Sequence, residues 1–168
     1  SSVTTISEYA FATALNLTSV TMPDIVTRIG FGAFYYCSNL SNVTWPEKLT
    51  EIGEMAFSRT GLISVTIPDS VTSIGKSAFN SCERLTKLTI SQGVTEIGDG
   101  AFSCCYGLTQ INIPDGVTKI DKDAFAFCTG VKEIMVPQSV TSIGVDAFFL
   151  CYTLETIYYA GTEPPGVF

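Results

Sequence analysis

The fold can be read from one stretch of the chain, Leu108-Thr-Gln-Ile-Asn-Ile-Pro-Asp-Gly-Val-Thr-Lys-Ile-Asp-Lys-Asp-Ala-Phe-Ala-Phe-Cys128. The Ala-Phe pair near its end recurs at intervals of 23, 23, 22, 23, 23 and 23 residues, with the aromatic residue at Phe11, Phe34, Phe57, Phe79, Phe102, Phe125 and Phe148. A fixed period of roughly 20 to 50 residues is typical of solenoids and propellers. We therefore divide the chain into seven coils, which begin at Val3, Val26, Leu49, Val71, Val94, Val117 and Val140.

Each coil contains two short apolar segments and a turn. In Leu-x-x-Ile-x-Ile-Pro the apolar residues alternate with polar ones, which predicts a half-buried strand that ends at the proline, because proline has no N–H for a ladder. Val-Thr-x-Ile-Gly predicts a second short extended piece, with a positive-φ corner at the glycine. The Ala-Phe segment predicts one tight helical or 3₁₀ turn that points both side chains inward. In coil 3 the residue missing from the period lies just before Leu62, ahead of the strand.

Stacking of the coils supplies the core that one coil lacks. A single unit of this size cannot bury its apolar side, whereas neighbouring units bury one another. Strands stacked at ~4.8 Å predict a continuous parallel sheet roughly 35 Å long over the seven coils.

The full pattern, Leu-x-x-Ile-x-Ile-Pro-x-x-Val-Thr-x-Ile-Gly-x-x-Ala-Phe-x-x-Cys, resembles the BspA-like (Treponema-type) leucine-rich repeat. The quoted stretch matches it across a whole unit, except that Asp121 stands at the Gly position. The resemblance implies a right-handed, horseshoe-like solenoid with the parallel sheet on its concave face and the turns on the convex side. It also implies a secreted or cell-surface protein used in adhesion, without catalytic residues.

Composition excludes several classes of function. The chain has 168 residues, of which 46% are hydrophobic and 15% charged, with a net charge of −7 and no histidine. This excludes intrinsic disorder and predicts no nucleic-acid partner, because the surface lacks a basic footprint. Triads of the Ser-His-Asp or Cys-His type and His-containing zinc sites are excluded as well. No apolar run approaches about 18 residues, so we expect no transmembrane segment.

The repeats fill almost the whole chain. We expect one domain over residues 1–168, with seven units over about 3–162 and a short C-terminal tail at 163–168. Because the chain begins at Ser1 without a methionine or a signal-peptide pattern, we expect it to be a piece of a longer protein.

Cysteine, threonine and acidic residues recur in columns that have structural explanations. The cysteine column, with Ala14 and Thr60 in the remaining coils, consists of Cys37, Cys82, Cys105, Cys128 and Cys151. We interpret it as a ladder of buried thiols, since 23-residue spacing is a weak signal for a metal or redox cluster. Stacking brings neighbouring cysteines within disulfide range, which leaves oxidation as the alternative, but Ala14 and Thr60 in the column indicate that it needs volume rather than bonding. Cys104 is out of register and is the expected accessible thiol.

The threonine of Val-Thr predicts a structural hydroxyl ladder, with an array for a repetitive ligand as the alternative. Acidic residues after the prolines indicate solvated turns rather than calcium ligands, so we expect no metal or cofactor.

The candidate binding residues face away from the core on the Leu-x-x-Ile-x-Ile strand. In coils 1 to 3 these outward positions carry only Ser, Thr and Asn. In coils 4 to 7 they change in chemistry, and these residues are the predicted ligand-binding set: Lys87, Thr89, Gln110, Asn112, Glu133, Met135, Thr156 and Tyr158. Repeat proteins bind on the surface that the stack creates.

These observations leave two functions open. The first is a non-catalytic extracellular or cell-surface module, acting as a monomer, that binds a protein or glycan ligand. The second is a structural stalk or spacer in a larger surface protein, which the uniform coils 1 to 3 favour. An enzyme is not expected, because the carboxylates lie on turns rather than in a cleft. Aromatic residues beside the Phe and Cys columns, among them Phe127, Phe149 and Tyr152, are an alternative contact surface.

Overall fold

The structure is a computed structural model that describes residues 3–161 and the backbone of residues 166–167. It is a solenoid of parallel strands with about seven turns, and no helix occurs within the described residues. The repeat fold expected from the sequence is therefore confirmed. Most of the predicted tail at 163–168 lies outside the described residues.

Two parallel ladders run along the solenoid. The first follows the Val-Thr-x-Ile segments and contains eight two-residue strands in one uninterrupted sheet, Thr5–Ile6 (β1), Arg28–Ile29 (β3), Glu51–Ile52 (β5), Ser73–Ile74 (β7), Glu96–Ile97 (β9), Lys119–Ile120 (β11), Ser142–Ile143 (β13) and Gly166–Val167 (β15). The second follows the Leu-x-x-Ile-x-Ile segments, with strands Ser19–Thr21 (β2), Asn42–Thr44 (β4), Ser64–Thr66 (β6), Lys87–Thr89 (β8), Ile111–Asn112 (β10), Glu133–Val136 (β12) and Thr156–Tyr159 (β14).

The second ladder is interrupted, which corrects the expectation of one continuous sheet there. It divides into β2–β4, β6–β8 and β10–β12–β14. The first interruption falls between coils 2 and 3, where coil 3 has lost the residue ahead of Leu62 and the approach to β6 is shortened. The uninterrupted ladder of backbone hydrogen bonds is therefore the first one, which consists of two-residue strands.

The core is a column of stacked phenylalanine rings surrounded by aliphatic columns. Adjacent rings from Phe11 to Phe148 have centroids 5.1 to 5.8 Å apart and interplanar angles of 3 to 12°. The five central rings are fully buried, whereas Phe11 is 47% exposed. Offset stacking of this kind adds about 0.5 to 1.5 kcal/mol per pair to the burial of apolar area.

The Ala-Phe turns are neither α-helical nor 3₁₀, which corrects the predicted turn type. In coil 3 the N–H groups of Ala56 and Ser58 bond three residues back, whereas those of Met55 and Phe57 bond carbonyls of coil 4. Met55 and Arg59 also have positive φ values of 54 and 59°. Every second N–H group donates to the neighbouring coil, and residues with positive φ flank the Ala-Phe pair. Consecutive helical hydrogen bonds therefore cannot form. The turns thus act as a third hydrogen-bonded ladder between coils.

The glycine after the short strand serves close approach rather than a positive-φ corner. In the described residues the positive-φ glycines are Gly32 and Gly100, two positions further along. A Cβ added at Gly53 would lie 2.6 Å from the carbonyl oxygen of Ile29, and one at Gly144 would lie 2.4 Å from the backbone nitrogen of Lys122. The predicted positive-φ corner is therefore wrong, and at Gly53 and Gly144 glycine is favoured because neighbouring backbones meet there, although coil 6 has Asp121 at the same position.

Candidate binding face

The outward positions of the second ladder form a solvent-exposed surface, which we call the outer strand face. Along β4, β6 and β8 the central residue is buried and its two neighbours are exposed. Of the eight predicted ligand-binding residues, seven are exposed and Thr156 is half-buried. Met135 and Tyr158 are 60% and 50% exposed, which is high for large apolar side chains. The predicted direction of these side chains is therefore confirmed.

Strand pairing places the varied residues side by side. Asn112 pairs with Met135, and Met135 pairs with Tyr158, so an amide, a thioether and a phenol form one row across coils 5 to 7. Glu133 pairs with Thr156 in the row beside it. Neighbouring members of a row are about 4.8 Å apart and the two rows are about 6.6 Å apart along the strands, so one small ligand spans both rows.

A cavity of about 360 Å³ opens on this part of the face. Five of the predicted residues line it, namely Gln110, Asn112, Glu133, Met135 and Tyr158. Lys87 and Thr89 lie in coil 4, outside the cavity, and Thr156 does not line it. The structure therefore concentrates the candidate site in coils 5 to 7.

Two further lining side chains escaped the sequence argument. Thr109 and Lys132 occupy the position one residue after the Leu column and line the same cavity. Strict alternation placed only the positions two and four residues after that column on the face. The sequence feature that could have identified this position is the charge of Lys132 beside Glu133, which puts cationic and anionic groups on adjacent residues.

The cavity combines amide, charged and apolar side chains. Gln110 and Asn112 each offer a donor and an acceptor, while Lys132 and Glu133 carry charges of both signs. Met135 and Tyr158 supply apolar contact area of the kind enriched at protein interfaces. Within the described residues, no three His, Cys, Asp or Glu side chains come together in a way that could hold a metal ion.

The alternative aromatic surface is partly exposed. Phe127 and Phe149 contact each other edge to face with ring centroids 5.8 Å apart, and Phe149 is 47% exposed. Tyr152, in the last coil, is 73% exposed. Part of this set therefore packs between coils, and the remainder faces solvent.

The threonine column forms the predicted hydroxyl ladder. Each side chain from coil 2 onward donates to the backbone carbonyl oxygen of the threonine one coil earlier, as Thr50 does to Thr27 at 3.0 Å and Thr118 to Thr95 at 3.2 Å. The hydroxyls thus reinforce the first ladder and are engaged with the backbone rather than offered to a ligand.

The cysteine column is buried and hydrogen-bonded. All six cysteines are free thiols, with Cys104 the least buried, as predicted. Each column cysteine donates to the backbone carbonyl of the Phe one coil earlier. In coil 3, where Thr60 replaces the cysteine, its hydroxyl donates at 2.8 Å to the carbonyl of Phe57 in the same coil. The predicted ladder of buried thiols without disulfide bonds is therefore confirmed, and the hydrogen bonds to the Phe carbonyls are a feature that the sequence did not reveal. Burial raises the pKa of Cys82 from its ordinary 9.0 to about 11 and raises that of Cys105 well above 9.0.

No helix in the described part of the chain is long and apolar enough to cross a membrane. No curated protein sequence matches the chain.

Several solved structures that this chain resembles come from bacteria. A leucine rich cell surface protein from Faecalibacterium prausnitzii is 35% identical, with a TM-score of 0.72 over 96% of this chain, which spans 52% of that protein's length. The Treponema pallidum leucine rich repeat protein is 32% identical, with a TM-score of 0.84 over 91% of this chain and 72% of its own. The pneumococcal vaccine antigen PcpA is 18% identical with a TM-score of 0.69, a likeness of fold alone that covers 98% of this chain and 56% of its own.

The family model agrees with these structural matches. The model described as the BspA type leucine rich repeat region matches six copies, over residues 4–128 and 51–163. Together the two ranges span residues 4–163, which include almost all of the seven coils. This chain belongs to the BspA-type leucine-rich repeat family.

Proposed function

We propose that the chain is a non-catalytic binding module of a bacterial cell-surface protein, which acts as a monomer and holds a protein or glycan ligand on the outer strand face. The cavity of about 360 Å³ carries the proposal, because it lies where the outward residues depart from Ser and Thr. Its volume falls within the range of about 300 to 1,000 Å³ typical of ligand sites. The surface location draws support from the F. prausnitzii relative, which is described as a cell surface protein.

The argument compares coils that share one backbone. In coils 1 to 3 the outward positions show that Ser, Thr and Asn satisfy the fold. Met135 and Tyr158 expose apolar area to water instead, which is unfavourable unless a partner covers it. A ligand on coils 5 to 7 explains both the chemistry and the position of these residues.

A binding screen on extracellular-matrix proteins and glycans tests the proposal. The test variant combines Gln110→Ser, Glu133→Thr, Met135→Thr and Tyr158→Thr, and the matched control combines Asn42→Ser, Thr44→Ser and Thr66→Ser on the same face. We expect at least a tenfold loss of affinity in the test variant and none in the control. Undiminished binding by a folded test variant would move the site to the aromatic surface around Phe149 and Tyr152.

The second candidate function is a spacer without a ligand. The uniform outer strand face of coils 1 to 3 favours it, because small neutral polar groups offer no binding anchor. Failure of the wild-type chain to bind any screened protein or glycan would support the spacer.

A further inference from the structure

A second depression, of about 440 Å³, lies away from the outer strand face, on the turns of coils 2 to 4. We call it the notch. Its lining comes entirely from the turns that join each core Phe to the following Leu, and consists of Tyr36, Ser38, Arg59, Thr60, Gly61, Ser81, Glu83 and Arg84.

The shortened coil creates the notch. In coils 2 and 4 two residues separate the buried cysteine from the Leu, as in Cys82-Glu-Arg-Leu85, whereas Gly61 alone separates Thr60 from Leu62. A Cβ added at Gly61 would lie 2.3 Å from the carbonyl oxygen of Ser38, so the shortened turn rests directly on coil 2. The missing residue therefore makes the turn of coil 3 shorter than its neighbours, and this leaves the gap in the row of turns where the notch lies.

Positive charge is concentrated at this gap. The chain has three arginines and a net charge of −7, yet Arg59 and Arg84 both line the notch. The third arginine, Arg28, pairs with Glu51 at 3.1 Å. Within the described residues neither notch arginine has a carboxylate partner within 4.0 Å, although the Glu83 carboxylate also borders the notch. Two guanidinium groups are thus left to face a ligand.

The remaining lining is polar and suits a hydrated ligand such as a sugar. Ser38 contributes a hydroxyl group, the Tyr36 ring is 43% exposed, and no aliphatic side chain lines the notch, whereas the hydroxyls of Thr60 and Ser81 are bonded to Phe57 and Asn80. Guanidinium groups bind carboxylate and sulfate oxygens in a bidentate manner. We propose that the notch binds an acidic glycan, whose carboxylate or sulfate group is held by Arg59 and Arg84.

Calorimetric titration of the whole chain at low salt tests this proposal, with three probes: a sulfated heparin hexasaccharide, a carboxylated hyaluronan hexasaccharide and neutral chitohexaose. We expect binding of at least one acidic probe, no binding of the neutral one, and an affinity that falls as salt rises. The two acidic probes distinguish sulfate from carboxylate as the recognised group.

Three variants locate the binding. Arg59→Gln with Arg84→Gln should weaken binding of the acidic probe at least tenfold. Glu83→Gln should strengthen it, because a repelling charge at the rim is removed. Inserting one serine between Thr60 and Gly61 restores the spacing of the other coils and should abolish binding while both arginines remain.

The matched control combines Lys48→Gln with Lys122→Gln, which removes the same charge outside the notch and should leave the affinity unchanged. Absence of binding by every acidic probe would overturn the proposal. Equal weakening by the lysine and arginine pairs would also overturn it, since it would indicate general charge attraction. Because the variants of the outer strand face leave the notch intact, failure of one site does not decide the other.

Discussion

The Cys82 thiol donates a hydrogen bond to the backbone carbonyl of Phe57 in the preceding coil, with the sulfur 3.2 Å from the oxygen. The hydroxyl of Thr60 donates to the same carbonyl and lies 3.3 Å from the sulfur. The carbonyl thus receives hydrogen bonds from two coils. This contact links the turns of coils 3 and 4 in the buried interior, where an unpaired carbonyl would cost about 1 to 3 kcal/mol of stability.

We predict that the protein loses stability above about pH 9 through these thiols. The pKa of Cys82 is raised from 9.0 to about 11 by burial, so the unfolded chain loses its proton first as the pH rises. The stabilising effect is complete below pH 9 and declines toward pH 11, by about 1.4 kcal/mol per pH unit for each such thiol. Urea unfolding at pH 8 and pH 10.5 measures the decline. A variant with Cys82→Thr and Cys105→Thr should show a smaller decline, and an equal one would refute the prediction.

We also predict that one thiol reacts much faster than the other five. Cys104 is only half-buried, whereas the column thiols are buried and donate to backbone carbonyls. Because the thiolate is the reactive form, a raised pKa slows modification further. Titration of the native protein with a thiol reagent should give one fast equivalent, which Cys104→Ser removes, and six after unfolding. Five or six fast equivalents in the native protein would contradict the buried ladder.

The sequence predicted the side-chain columns well and the backbone conformation poorly. The spacing of Phe102 and Phe125 sets one register for every coil, and residues such as Met135 and Tyr158 consequently lie where alternation put them. The turn type was missed because Met55 and Phe57 send their N–H groups to the next coil, and hydrophobic periodicity carries no information about bonds between coils. The notch followed from the residue missing before Leu62, a visible signal whose spatial consequence required the neighbouring turns.

Gly53→Ala should destabilise the protein more than Gly100→Ala. At Gly53 the added methyl would lie 2.6 Å from the Ile29 carbonyl oxygen, so two backbones must separate. At Gly100 the nearest atom is a side-chain oxygen at 3.4 Å, and the penalty is the positive φ of 60°, about 1 to 2 kcal/mol. Non-glycine residues such as Ser77 and Asp123 already adopt that conformation in other coils. Chemical denaturation of both variants measures the difference, and an equal or reversed order would mean that the coils are less closely packed than described.

Phe102→Ala should be among the most destabilising substitutions in the chain. The ring is fully buried and stacks on Phe79 and Phe125 at 5.3 and 5.4 Å, so its removal opens a cavity in the middle of the column. Truncation of a buried aromatic residue costs about 3 to 5 kcal/mol. Phe11→Ala is the matched control, because Phe11 stacks only on Phe34 and is 47% exposed. Urea unfolding should therefore show a large loss for Phe102→Ala and a much smaller one for Phe11→Ala. Equal losses would mean that the stack is not the principal core of the solenoid, since the central and the outermost ring would then contribute alike.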